Sequence, residues 1–199
     1  MLRCYFPNRA AKGYWYGLKR GRTTVPRNQC WGWGKLPVYQ DEQFRYLTEK
    51  LNGYITGAYI YNKMGLTEQV ATTITIATPN PVRRFRFKNL DIECVKAYCM
   101  VYPDESLVPY LRLLDAIKDM KRIPGTTGQD IYNRVKSQYF NGYSLPELEK
   151  IVSLAKSYPP RVRKVVADIL GDIRQTVLQT EMAKTILPTT RFNLDYKTA

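Results

Sequence analysis

Arg3, Arg9, Lys12, Lys19, Arg20, Arg22, Arg27 and Lys35 stand in the first forty residues without one aspartate or glutamate among them. The chemistry open to such a set is the grip of a polyanion, in which ammonium and guanidinium groups neutralise phosphates and release counterions. Tyr14, Trp15 and Tyr16 precede Lys19-Arg20-Gly21-Arg22, and rings among cations suit stacking against nucleic acid. The same rings serve equally well as the packed face of a hairpin whose charges are only solvated. A second basic group is Arg84, Arg86 and Lys88, at the alternate spacing that puts side chains on one face of a strand. The candidate nucleic-acid-binding residues are therefore Lys12, Lys19, Arg20, Arg22, Arg27, Arg84, Arg86 and Lys88.

Other chemistry is narrowed by what the chain lacks. It has no histidine, which removes the Ser-His-Asp triad, the Cys-His pair and any histidine-ligated metal. Cys4, Cys30, Cys94 and Cys99 form no C-x-x-C pair, so reduced structural thiols are expected ahead of a disulfide or a metal site. Carboxylate- and lysine-based chemistry stays formally open, but the acidic residues show no paired motif beyond what solvated helices carry. A non-enzymatic protein without a cofactor is expected.

The net charge of +14 is unevenly placed. Residues 41–105 hold eight basic and eight acidic side chains, and residues 106–199 hold fifteen against nine. Such asymmetry points to a polyanionic partner; the plainer alternative is a basic surface with no specific partner. No apolar run approaches the roughly 20 residues that span a bilayer, and the start lacks the continuous apolar stretch of a secretory signal. A cytoplasmic protein without a membrane partner is expected.

The elements that would carry these charges follow from periodicity. The stretch Ala11–Pro26 reads as a β-hairpin with a basic tip. A helix over residues 40–51 aligns Phe44, Leu47 and Leu51. The segment Gly53–Thr78 organises the rest: a helix on Ile55, Tyr59 and Met64, ended by Gly65, then a β-branched strand over 70–78 closed by Pro79-Asn80-Pro81. Strands are predicted over Val82–Lys88 and Asp91–Tyr102, the last one central, and the short links predict an antiparallel meander. From Ser106, a plausible N-cap, the spacing turns helical. Helices are predicted over Leu107–Met120, after Thr127, after the capping box of Ser144 and Glu147, and from Arg161 to about Thr180, with a frayed tail beyond. Pro-marked links set these helices apart from the tight turn of a helix-turn-helix. The fold class expected is α+β: an N-terminal basic β-hairpin, a small antiparallel sheet with helices, and a C-terminal bundle of about four helices. The divisions are 1–38, a basic arm; 39–180, the core with its helices; and 181–199, a tail.

Gly53-Tyr54-Ile55-Thr56-Gly57, then Tyr61-Asn62-Lys63-Met64-Gly65-Leu66-Thr67-Glu68-Gln69-Val70 running into a Thr/Ile-rich strand, resembles the core of the AbiEi-like antitoxins. A second similarity lies at Leu113-Leu114-Asp115-Ala116-Ile117 and Lys121-Arg122-Ile123-Pro124, so the resemblance covers roughly residues 12–175. It implies an antitoxin and transcriptional regulator of a bacterial abortive-infection toxin–antitoxin pair, with DNA as one partner and a nucleotidyltransferase-like toxin as the other. Family members carry a winged helix-turn-helix ahead of this core. Here no helix pair is readable in the first 35 residues, which look like the wing of such a domain without its helices. Two functions are thus expected: an antitoxin-like regulator that binds nucleic acid through a basic surface, or a non-enzymatic protein-interaction domain whose 16 tyrosines and 3 tryptophans serve interfaces.

Overall fold

The structure is a computed structural model that describes residues 40–99 and 104–198. The chain divides into two compact units, 1–47 and 48–199. Of the first, the described part is the start of α1 (Gln40–Leu51), where Phe44 and Leu47 are buried. The predicted hairpin over residues 11–26 lies outside the described residues.

The second unit is α+β. Its strands are β1 (Tyr54–Thr56), β2 (Thr73–Thr78), β3 (Arg83–Phe87) and β4 (Leu90–Lys96), in the order β1-β2-β4-β3. A short α2 (Ala58–Lys63) lies between β1 and β2. The rest is helical: α3 (Val108–Asp119), α4 (Gly128–Gln138), a 3-10 turn at Phe140–Gly142, α5 (Leu145–Ala155), α6 (Pro160–Asp172) and α7 (Thr176–Lys184). Among the described residues five α-helices follow the sheet, where about four were expected.

The sheet is mixed, which corrects the predicted meander. β2 pairs with β4 in parallel, and β3 lies antiparallel on the far side of β4. The residues explain the order. β3 reads Arg-Arg-Phe-Arg-Phe and its three arginines are exposed, so it belongs at an edge. β4 carries buried Ile92 and Cys94 and takes the interior place that its apolar content called for. It ends at Lys96 rather than Tyr102.

The predicted helix from Ile55 is also corrected. Tyr54, Ile55 and Thr56 form a strand paired antiparallel with Ala77, Ile76 and Thr75, and the helix starts only at Ala58. β-branched neighbours and Gly57 favour that outcome. Its end is as predicted. Gly65 has φ 69°, its N–H donates to the Asn62 carbonyl at 2.9 Å, and the Leu66 N–H donates to the Tyr61 carbonyl at 2.9 Å. That is a Schellman close, with fully buried Leu66 as its hydrophobic member.

The register places Tyr54, Thr56, Thr75 and Ala77 on one face of the sheet, and Ile55, Ile74, Ile76, Ile92 and Cys94 on the other. Tyr54 and Ala77 join the main core with Leu111, Leu114, Ile131, Val152, Val165 and Ile169 of the helices. Thr127 and Ser144 cap α4 and α5 with the reciprocal bonds of a capping box. Ser106 is not the cap of α3. Its N–H and hydroxyl bond the Asp104 carboxylate instead, and Leu107 precedes the helix. The single helix predicted over residues 161–180 is two, because Arg174 takes φ 62° between α6 and α7. The tail is not frayed either: Tyr196 is buried and Leu194 packs on the core.

Candidate nucleic-acid interface

β3 is the one predicted binding element within the described residues. Arg84 stands opposite Glu93 on β4, and its Nε and Nη2 donate to Glu93 Oε1 at 2.9 and 2.5 Å. Arg86 stands opposite Asp91, with Nε 3.8 Å from Oδ1. These cross-strand pairs are largely exposed, and such pairs add little stability. They do change the electrostatics, because each cation of the row faces a carboxylate. Lys88 is not in the row: it occupies the β3–β4 turn with φ 54°. Arg83 lies on the other face, over the Phe85 ring at 5.3 Å. The structure therefore brings Arg84 and Arg86 onto one face and offsets both. Lys12, Lys19, Arg20, Arg22 and Arg27 lie outside the described residues.

The helical layer treats its carboxylates differently. Asp115 is only 2% exposed. Its Oδ2 accepts from the Tyr54 hydroxyl at 2.9 Å and the Thr56 hydroxyl at 2.8 Å, and its Oδ1 accepts from the Tyr158 hydroxyl at 3.1 Å. Lys118 Nζ lies 3.7 Å away. Burial pushes the Asp115 carboxyl above the usual range, against the pull of Lys118 and of the three hydroxyls. Burial first, and Asp115 second, push the Tyr54 and Tyr158 phenols up, so they remain donors. One carboxylate thus ties β1 to α3 and to the α5–α6 link.

Further pairs repeat the pattern. Asp168 accepts from Lys164 at 2.5 Å and from the Tyr196 hydroxyl at 2.9 Å. Asp172 accepts from the Tyr132 hydroxyl at 3.0 Å and from Lys136 at 2.9 Å. Asp195 bridges Lys121 at 2.9 Å and Arg161 at 3.3 Å. Asp130 and Glu147 are held below the usual carboxylate range by the hydrogen bonds of their capping boxes. Arg122, Lys150, Lys184 and Arg191, by contrast, are exposed and form no ion pair among the described residues. Asp115, Asp168 and Asp172 are drawn into internal contacts, while part of the layer's basic charge faces water.

Sequence reasoning missed Asp115 and Asp168 as organising residues. The signal was present, since each is a single charge inside an apolar run, Leu113–Ile117 and Val165–Leu170. A shallow groove runs beside β2, lined by Ala58, Gln69, Val70, Thr73, Glu93 and Pro124. Among the described residues no three Cys, Asp or Glu side chains gather as a metal would require, and no helix is long and apolar enough to cross a membrane. No protein-family model, no curated protein and no solved structure matches the chain.

Proposed function

We propose that this chain is an antitoxin-like regulator of a bacterial toxin–antitoxin pair, acting in the cytoplasm and holding nucleic acid by phosphate contacts to a basic surface. The observation that carries the reading is the segregation of charge. The first forty residues have eight cations and no carboxylate, whereas β3 meets a carboxylate at Arg84 and again at Arg86. The grip on phosphate accordingly falls to the arm, with Lys19, Arg20 and Arg22 foremost and Lys12 and Arg27 beside them. Contacts of this kind position a protein on nucleic acid without reading bases. The resemblance at Gly65-Leu66-Thr67 supports the antitoxin part, with a nucleotidyltransferase-like toxin as the protein partner.

Fluorescence anisotropy on duplex DNA tests the assignment. Replacing Lys19, Arg20 and Arg22 together with Ala should weaken binding and flatten the salt slope by roughly 0.9 for each phosphate no longer neutralised. Replacing Arg84 and Arg86 should change little, since Glu93 and Asp91 already offset them. If the arm variant binds like wild type and the strand variant does not, the site is wrongly assigned. The second reading, a protein-interaction domain with incidental basicity, is favoured by those same β3–β4 ion pairs, and it gains if wild type does not bind at all.

A further inference from the structure

We propose that Lys121 and Arg161 form a seat for a backbone phosphate of nucleic acid, and that the chain's own Asp195 occupies it, so that the segment after α7 is an internal competitor of polyanion binding. The inference rests on the proposed polyanion binding and adds a second contact point and its control.

Lys121 follows the end of α3, and Arg161 lies in the first turn of α6. Asp195 Oδ1 is 2.9 Å from Lys121 Nζ, and its Oδ2 is 3.3 Å from Arg161 Nη2. One carboxylate therefore bridges two cations, one from the turn after α3 and one from α6. The fit to Arg161 is incomplete. Its Nη2 bond is long, and its Nε is buried without a hydrogen-bond partner. A guanidinium presents Nε and Nη as a fork that planar or tetrahedral oxyanions engage at two points. A phosphate that takes Asp195's place at Nη2 and at Lys121 Nζ would keep both contacts and bring further acceptor oxygens. Lys121, Arg161 and Asp195 are each about one-third exposed (33%, 30% and 36%), so water reaches the seat and the bridge is of the weak, screened kind. Arg122, next in the chain to Lys121, is exposed.

Asp195 reaches the seat because its neighbours hold it there. The Tyr196 ring stacks on Tyr132 at 4.3 Å, and its hydroxyl donates to Asp168. The Lys197 N–H donates to Gln129 Oε1 at 2.7 Å. The strap lies so close to the start of α4 that a Cβ on Gly128 would come within 2.8 Å of Asp195 Cβ. The placeholder is therefore positioned by an aromatic stack and a glycine rather than by its own charge.

The test uses the full chain on duplex DNA at several salt concentrations. Asp195→Asn should bind severalfold more tightly than wild type at low salt. Its slope of log affinity against log salt should steepen by up to about two, near 0.9 for each of the two cations released. Glu149→Gln adds the same unit of charge at an exposed helical position and should give only a small, slope-neutral gain. Adding Lys121→Ala and Arg161→Ala to Asp195→Asn should abolish the improvement. Gly128→Ala, which displaces the strap without changing charge, should reproduce it in part. If Asp195→Asn and Gly128→Ala both bind no better than Glu149→Gln while wild type binds, the seat is refuted and the arm remains the binding element. If wild type and Asp195→Asn alike fail to bind at low salt, the polyanion reading falls and takes the seat with it.

Discussion

Arg84 with Glu93 on the sheet edge and Asp115 beneath β1 are both polar contacts that join separate elements, yet they behave as opposites. At the edge, Arg84 is 80% exposed and its partner 30%, so water and salt screen the pair. Under β1, Asp115 is 2% exposed and accepts from three protein hydroxyls. An exposed pair can be removed with small consequences for the fold, but it alters what a passing polyanion meets. A buried carboxylate with three hydroxyl donors cannot lose its role without leaving desolvated groups unpaired. Loss of the edge pair changes surface charge, whereas loss of the buried carboxylate changes the stability of the fold.

The comparison sharpens first at Asp115. Asp115→Ala takes the acceptor from the hydroxyls of Tyr54 and Thr56, leaves Tyr158 only its 3.4 Å bond to the Leu111 carbonyl, and should destabilise by about 3–5 kcal/mol in urea unfolding. A loss below about 1 kcal/mol would show that water replaces the carboxylate. Ile169→Ala, in the apolar part of the same layer, should cost about 2–5 kcal/mol through the cavity it leaves. Thr127→Ala removes one capping box and should cost about 1 kcal/mol. Arg84→Ala should cost under about 1 kcal/mol, an effect that vanishes in molar salt. A larger, salt-insensitive loss would put the edge in the same class as the interior.

The pH dependence separates the regions as well. The Asp115 carboxyl is raised by burial, so the stability tied to its protonated form is fully present below the ordinary aspartate value and is lost as pH rises through the folded value. Asp130 and Glu147 are lowered by capping bonds, so their contribution is present above the ordinary values and is lost as pH falls through the folded ones. A carbon-detected NMR titration should find Asp115 titrating above Asp130. The reverse order would show that burial does not govern Asp115.

Much of this was legible from local chemistry. Gly65 announced the end of α2, Ser144 with Glu147 announced the start of α5, and the arginine alternation of β3 announced its exposed row. What escaped was set by tertiary contacts. Tyr54-Ile55-Thr56 is a strand because β2 offers it a ladder and Asp115 takes two of its hydroxyls, and no window around residue 55 contains either partner. β4 lies between β2 and β3 because its apolar residues outrank the order of the chain. Arg174 at φ 62° splits the last helix where no glycine marks the break. The neutralisation of Arg84 and Arg86 was out of reach for a related reason, since it depends on the register that sets them opposite Glu93 and Asp91.

The central claim, that the unopposed cations of the chain serve to grip nucleic acid, is tested most directly by a salt titration of wild-type protein on two duplexes of unrelated sequence. Equal affinity for both is predicted, with a log–log salt slope of several negative units, roughly 0.9 for each phosphate neutralised. Affinity that is flat in salt, or no binding at low salt, would contradict it.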